Sequence, residues 1–318
     1  MALMPWQVSV FIAEVIVTVP FYASLVVLIL IWRRHYPVFR SPYYTMTLAQ
    51  ALPDFLISAT FTLIYLARYF QIGNQFLFSL QDYYFPSWVK NQSTILTIMK
   101  AFGVAVISYQ RYLTLCKPHS WLNKMFKKSP PWCLLLLLWG VPVLICTPVW
   151  MDHSTRFLDP VTLAVTNPPA STQIPAVILM CSLVPTFLSV VYFYGRILQF
   201  LLSHKDLLRK DGDKRMRREI RLSLHVFILV CYFGLIFSYV VARAIFESLG
   251  REDLWATYLR ANWALLQGNF AFINPWTLVV LNFDVQRHLK HSRSASAVES
   301  TSRPGVQTVA ARATQTRN

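Results

Sequence analysis

The chain has 318 residues, of which 55% are hydrophobic and only 14% are charged. A soluble domain carries about 25% charged residues, so this composition excludes a water-soluble globule. The net charge of +16 would suit nucleic acid if the basic residues formed a stripe on a polar domain. They instead lie in short clusters between apolar runs, which is typical of the loops of a membrane protein. The lipid bilayer, and not nucleic acid, is therefore the expected surrounding.

Seven apolar stretches are long enough to cross a membrane, because a bilayer core of about 30 Å requires roughly 20 helical residues. The sequence therefore predicts an all-α membrane protein, a bundle of seven transmembrane helices within residues 1–290. A Ser-, Thr- and Arg-rich tail, 291–318, is expected to be disordered. The predicted spans one to seven are approximately 8–32, 45–69, 93–116, 132–151, 173–202, 222–246 and 258–282.

The loop charges predict the orientation of the bundle. Most of the 30 Lys and Arg residues fall on one set of loops and on the tail. Basic loops stay in the cytoplasm, and an odd number of spans then puts the amino terminus outside. The opposite set of loops carries only Arg68, Lys90, Arg156, Arg251 and Arg260.

Asp54 and Lys100 are charged residues inside predicted spans two and three. Each lies roughly 15 Å from the basic end of its span at about 1.5 Å per residue. An unpaired charge at this depth is costly, so we expect the two to neutralise each other. The alternative is that Lys100 faces a water-filled cavity and attracts an acidic ligand. Asn274 lies at a similar depth, and Pro275 after it removes a helix hydrogen bond and creates a plausible hinge.

Arg111 is predicted at the basic end of span three, between Gln110 and Tyr112. One interpretation is that it extends to lipid phosphates. The other is that it changes partners when the helices move, and Glu219 at the start of span six is the carboxylate that we expect to hold it in the resting state. Gln110, Arg111, Tyr112 and Glu219 together form a predicted switch at the basic ends of spans three and six.

The motifs of enzymes and of metal sites are missing from the sequence. It has no nucleophile elbow, no zinc-protease motif and no phosphate-binding loop, so we expect neither an enzyme nor a cofactor or metal site. Asn91-Gln92-Ser93 is a formal N-glycosylation sequon, although it adjoins span three.

A series of short motifs occurs in order across the spans. Together they resemble G-protein-coupled receptors and, more narrowly, the nematode serpentine chemoreceptors of the Srg/Srv group, over roughly residues 1–290. The motifs are Pro20-Phe21-Tyr22, Ser41-Pro42-Tyr43-Tyr44, Pro53-Asp54, Gln110-Arg111-Tyr112, Trp139-x-x-Pro142, Pro185 and Ile273-Asn274-Pro275.

The chain departs from the usual receptor pattern at several positions. Gln110 replaces the acid that normally precedes the arginine, and Leu278 replaces the tyrosine that is expected after Asn-Pro. Span six lacks its usual proline, and no cysteine begins span three. These departures weaken the transfer of the standard activation switches, and they leave the architecture intact.

The resemblance implies a sensory receptor in the plasma membrane, on a sensory cilium, that signals to a heterotrimeric G protein through the 203–221 loop. It also implies that a small-molecule ligand binds between spans three, five, six and seven. By depth alone, the expected pocket residues are Leu96, Met99, Phe102, Gly103, Cys181, Phe237, Tyr239 and Trp263.

Three other interpretations remain open from the sequence. A transporter or channel would use the Asp54/Lys100 pair as an ion or proton site. A membrane enzyme would need catalytic residues that converge at one depth. A receptor of the bitter-taste type would share the short amino terminus.

Overall fold

The computed structural model describes residues 5–166, 169–203, 214–249 and 254–289, and the tail 291–318 lies outside them. Among the described residues, six helices are long and apolar enough to cross a membrane, and a bent pair of helices adds a seventh if it counts as one span. The six are span one (Trp6–His35), span two (Pro42–Phe70), span three (Phe85–Cys116), span five (Pro169–Ser203), span six (Lys214–Ser248) and span seven (Leu254–Leu281).

Span four is broken into short helical pieces. A helix at Trp121–Lys128 precedes the crossing segment Pro131–Ile145, and the two differ in direction by 110°. Within the crossing segment, Leu136–Gly140 is a π-helix turn. Pro142 cannot donate a backbone hydrogen bond, which favours this local loosening. A last short helix, Thr147–Trp150, completes the predicted region 132–151.

Span three begins two turns earlier than the sequence predicted, at Phe85 instead of residue 93. Its first turns are polar, which lowered their hydropathy, but Asn91 and Gln92 are both only 1% exposed. Pro86 lies in the first turn, where a proline costs the helix no hydrogen bond. Burial against neighbouring segments therefore extends the helix beyond its apolar part.

A two-stranded antiparallel hairpin covers one end of the bundle. Strand β1 (Arg156–Phe157) pairs with β2 (Val165–Thr166). Side chains at the end of span two hold the turn between them: Arg68 Nη2 donates to the Leu163 carbonyl at 3.0 Å, and Gln71 Nε2 donates to the Val161 carbonyl at 3.2 Å. We call this the hairpin end, and we call the opposite end, where His35 and Cys116 lie, the basic end.

Span three is at the centre of the bundle and contacts spans two, four, five and six, while span one packs on spans two and seven. Large apolar side chains point outward along several spans, among them Ile16, Leu144 and Leu202, which are 68%, 74% and 67% exposed. An apolar exterior of this extent matches lipid and not water.

Candidate functional site

A buried polar cluster joins four spans near the middle of the bundle. Lys100 Nζ forms an ion pair with Asp54, and the two side chains are 2% and 1% exposed. The Tyr22 hydroxyl donates to Asp54 Oδ2 at 3.0 Å, and Asn274 Nδ2 donates to the Tyr22 hydroxyl at 2.8 Å. Lys100 Nζ also lies 4.8 Å from the centroid of the Phe270 ring. Spans one, two, three and seven are thus held together by one set of polar contacts.

The pairing expected from the sequence is present, and the open-cavity alternative for Lys100 does not fit its burial. The predicted neighbour Asn274 donates to Tyr22, which in turn donates to Asp54. Tyr22 was not among the predicted site residues. Its signal was available, because Tyr22 is a polar aromatic residue at a depth similar to that of Asp54. Pro275 lies inside a continuous helix, Leu254–Leu281, so its role as a hinge stays a prediction.

At the basic end, Arg111 bridges spans three and six. Its Nη1 donates to Glu219 Oε2 at 2.6 Å, and its guanidinium carbon lies 4.3 Å from the centroid of the Tyr43 ring. The Arg111 side chain is 3% exposed and that of Glu219 is 17% exposed. The expected carboxylate partner is therefore in place, and the arginine does not extend toward lipid phosphates.

A second ion pair lies beside the first. Arg218 Nε donates to Asp284 Oδ2 at 2.6 Å, and the Tyr44 hydroxyl donates to Asn282 Oδ1 at 2.9 Å. Asp284 belongs to a short helix, 283–289, that follows span seven. Two consecutive residues at the foot of span six thus bind different elements: Glu219 binds span three, and Arg218 binds the helix after span seven. We call Arg111, Glu219, Arg218 and Asp284 the basic-end latch.

Two residues of the predicted switch lie apart from the latch. Gln110 Nε2 donates to Thr114 Oγ1 of its own helix at 3.0 Å. The Tyr112 ring stacks on Phe193 of span five, with 5.6 Å between ring centroids. Neighbours in sequence point in different directions around a helix, so adjacency to Arg111 was a poor guide. Glu219 was predicted correctly because it is a carboxylate at the matching depth on span six.

A cavity of about 170 Å³ opens at the hairpin end between spans three, five, six and seven. We call it the outer cavity. Of the predicted pocket residues, Tyr239 and Trp263 line it, and their rings stack with centroids 5.0 Å apart. Lys90 and Arg243 also line it. Lys90 Nζ forms an ion pair with Asp152 Oδ2 at 3.2 Å. The cavity thus combines an aromatic wall with cationic side chains.

Four predicted pocket residues lie in packed parts of the bundle and do not line this cavity. Leu96 and Met99 pack with residues of span four in the core. Gly103 faces Gln50, because a Cβ at this position would lie only 1.8 Å from the Gln50 amide nitrogen. Phe237 stacks on Phe187, with ring centroids 4.4 Å apart.

Two further predicted pocket residues lie elsewhere on the surface. Phe102 and Cys181 line a separate hollow of about 380 Å³ between spans three, four and five. Residues at one depth project from a helix in every direction, so depth alone could not select the residues that face the outer cavity.

The Asn91 sequon is not available for glycosylation in this fold. Asn91 lies inside span three and is 1% exposed, and its Nδ2 donates to the Val149 carbonyl at 3.1 Å. A glycan could not be attached without unfolding this turn, so the burial of Asn91 argues against use of the formal sequon. In the part of the chain that the structure describes, no cluster of three His, Cys, Asp or Glu side chains could hold a metal ion.

The bundle thus has seven spans and two distinct ends. An arginine of span three binds span six at the basic end, and a cavity opens at the hairpin end. The sequence profile of the serpentine type seven-transmembrane GPCR chemoreceptor Srv family matches residues 11–295. The chain belongs to the Srv family. The match covers every described span almost completely and confirms the resemblance inferred from the short motifs. No curated protein gives a significant match to the Srv chain.

Proposed function

We propose that this Srv chain is a chemosensory receptor that binds a small molecule in the outer cavity and signals to a heterotrimeric G protein at the basic end. The observation that supports this most is that spans three and six contribute to both sites. They carry Lys90 and Tyr239 in the cavity and Arg111 and Glu219 in the latch. A ligand that changes the spacing of these two helices therefore acts on the latch.

The mechanism is a shift between two arrangements of the bundle. In the closed arrangement, two ion pairs hold the foot of span six. Arg111 of span three binds Glu219, and Arg218 binds Asp284 in the helix after span seven. A ligand that fits the open arrangement better raises its population by its differential affinity. A shift from 1% to 99% open requires about 5.5 kcal/mol of differential binding. The foot of span six then moves outward, and its basic segment, with the 203–221 loop, contacts the G protein; residues 204–213 of that loop lie outside the described part.

The direction of signalling follows from charge. Lys and Arg residues concentrate at the basic end, so this end faces the cytoplasm and the hairpin end faces outside. The amino terminus of span one is then extracellular. The proposed location is the plasma membrane of a sensory cell, in its cilium.

The test is a ligand screen in cells that report G-protein activation. The wild-type chain is compared with Arg111→Ala and with the control Arg156→Ala, which removes an exposed cation at the hairpin end. We expect ligands that raise signalling by the wild type and by the control, at equal surface expression. Arg111→Ala should show no ligand-dependent rise, because it already lacks the contact with Glu219 that the ligand releases. A full response from Arg111→Ala would contradict the assigned role of this residue.

A transporter or channel that uses Asp54 and Lys100 is the alternative. It has weaker support, because both side chains are buried and neither lines the three cavities described here. Uptake or ionic current in cells that lack G proteins would favour it.

A further inference from the structure

A second crevice lies at the hairpin end, between spans two and three and beneath strand β2. It has a volume of about 240 Å³. Its walls include Phe61, Tyr65 and Arg68 of span two and Lys90 and Gln92 of span three. Lys90 also lines the outer cavity, so the two spaces share one side chain but are otherwise built from different residues.

Arg68 carries a charge that no carboxylate balances in the part of the chain that the structure describes. Its Nη2 donates to the Leu163 carbonyl at 3.0 Å, while its Nε is buried and none of the described residues accepts a hydrogen bond from it. Arg68 is partly buried, and a charge that is withdrawn from water is costly unless it is paired. Carboxylates and phosphates both match the forked donors of a guanidinium, and the carboxylate is the smaller of the two.

The other walls of the crevice indicate which chemical group would accompany an anion bound at Arg68. The rings of Phe61 and Tyr65 stack with centroids 6.1 Å apart and an interplanar angle of 18°. They form an apolar side to the crevice. The volume is below the range of about 300–1,000 Å³ that is usual for drug-sized ligands, so the occupant is small.

We propose that this crevice binds a small aromatic carboxylate, with its anionic group on the Arg68 guanidinium and its ring against Phe61 and Tyr65. This site is additional to the outer cavity and does not depend on G-protein coupling. Because Arg68 also holds the Leu163 carbonyl, the ligand would bind directly beside the turn of the hairpin.

The test uses the full chain, purified in dodecyl maltoside without phospholipid. Benzoate, phenylacetate and 3-phenylpropionate are titrated, each beside its neutral amide, and binding is measured from the rise in the melting temperature. We expect at least one acid to stabilise the wild type with an affinity at least tenfold higher than that of its amide. If no acid exceeds its amide, the proposal is wrong.

Four variants locate the binding. Arg68→Met should weaken it at least tenfold, whereas the exposed control Arg156→Met and the outer-cavity variant Arg243→Met should leave it unchanged. Arg68→Lys keeps a cation that can hold the Leu163 carbonyl, and we expect it to fold and to bind more weakly than the wild type. Wild-type affinity in Arg68→Lys, or loss in Arg243→Met alone, would overturn the assignment to this crevice.

Lipid headgroups are the other source of an anionic group at this depth. Dihexanoylphosphatidylcholine is titrated in the same assay. Stabilisation by this lipid that requires Arg68, without stabilisation by any of the acids, would identify a headgroup site and would overturn the proposal.

Discussion

The buried ion pair of Asp54 and Lys100 is the part of the bundle whose energetics can be tested most sharply. Lys100→Met removes the cation and keeps an unbranched side chain that is only one heavy atom shorter. It leaves Asp54 charged and 1% exposed, with the Tyr22 hydroxyl donating to it at 3.0 Å. Removal of one partner of a buried pair costs about 3–5 kcal/mol. We expect a loss of this size in the free energy of unfolding.

The assay is reversible unfolding of the purified chain in mixed micelles titrated with sodium dodecyl sulfate. The matched control is Arg156→Met. Its pair with Asp82 lies at the surface, where the two side chains are 62% and 84% exposed, and exposed pairs contribute about 0–1 kcal/mol. A double variant, Asp54→Asn with Lys100→Met, removes both charges and keeps an acceptor for Tyr22. It should recover most of the stability that Lys100→Met loses.

Two results would refute this reasoning. Lys100→Met could unfold at the same free energy as Arg156→Met, which would mean that water or lipid headgroups solvate the site. The double variant could instead lose the sum of the losses caused by Lys100→Met and by Asp54→Asn, each measured alone. The charges would then act independently, although a pair in direct contact should be coupled.

Other predictions concern packing and the second half of the latch. Gly268→Ala would place a Cβ 2.6 Å from the Phe11 ring, so we expect a loss of about 1–3 kcal/mol in unfolding free energy. The control is Gly140→Ala, whose added Cβ meets nothing within 4 Å. We expect the control to leave the unfolding free energy unreduced. Arg218→Ala frees the foot of span six from Asp284 and should raise basal G-protein signalling. Arg196→Ala removes a basic-end cation that donates to Gln199 in its own helix, and it should not raise basal signalling. Equal signalling from the two variants would contradict the latch.

The spans were predictable from sequence because apolar length is a property of each segment alone. The pairs Asp54/Lys100 and Arg111/Glu219 were also predictable, since a charge in a bilayer requires a partner at its own depth. Depth follows directly from residue number along a helix, so both pairs could be found without knowledge of how the helices face each other.

The rotation of each helix about its axis could not be predicted in the same way. Leu, Met and Phe cover both the lipid-facing and the buried sides of a span. The sequence therefore could not show whether Leu96 or Cys181 faces the pocket. Arg218 and Asp284 were missed for a related reason. Several basic residues compete at the foot of span six, and only the packed bundle shows which of them reaches the helix after span seven.

The claim that Arg111 and Glu219 hold the receptor closed can be tested without a known ligand. The measurement is the basal G-protein activity of Glu219→Gln, which removes the charge and keeps the shape, at matched surface expression. Asp82→Asn, in the exposed pair with Arg156 at the hairpin end, is the control. The account predicts that Glu219→Gln signals several-fold above the wild type and the control; basal activity equal to that of the wild type would contradict it.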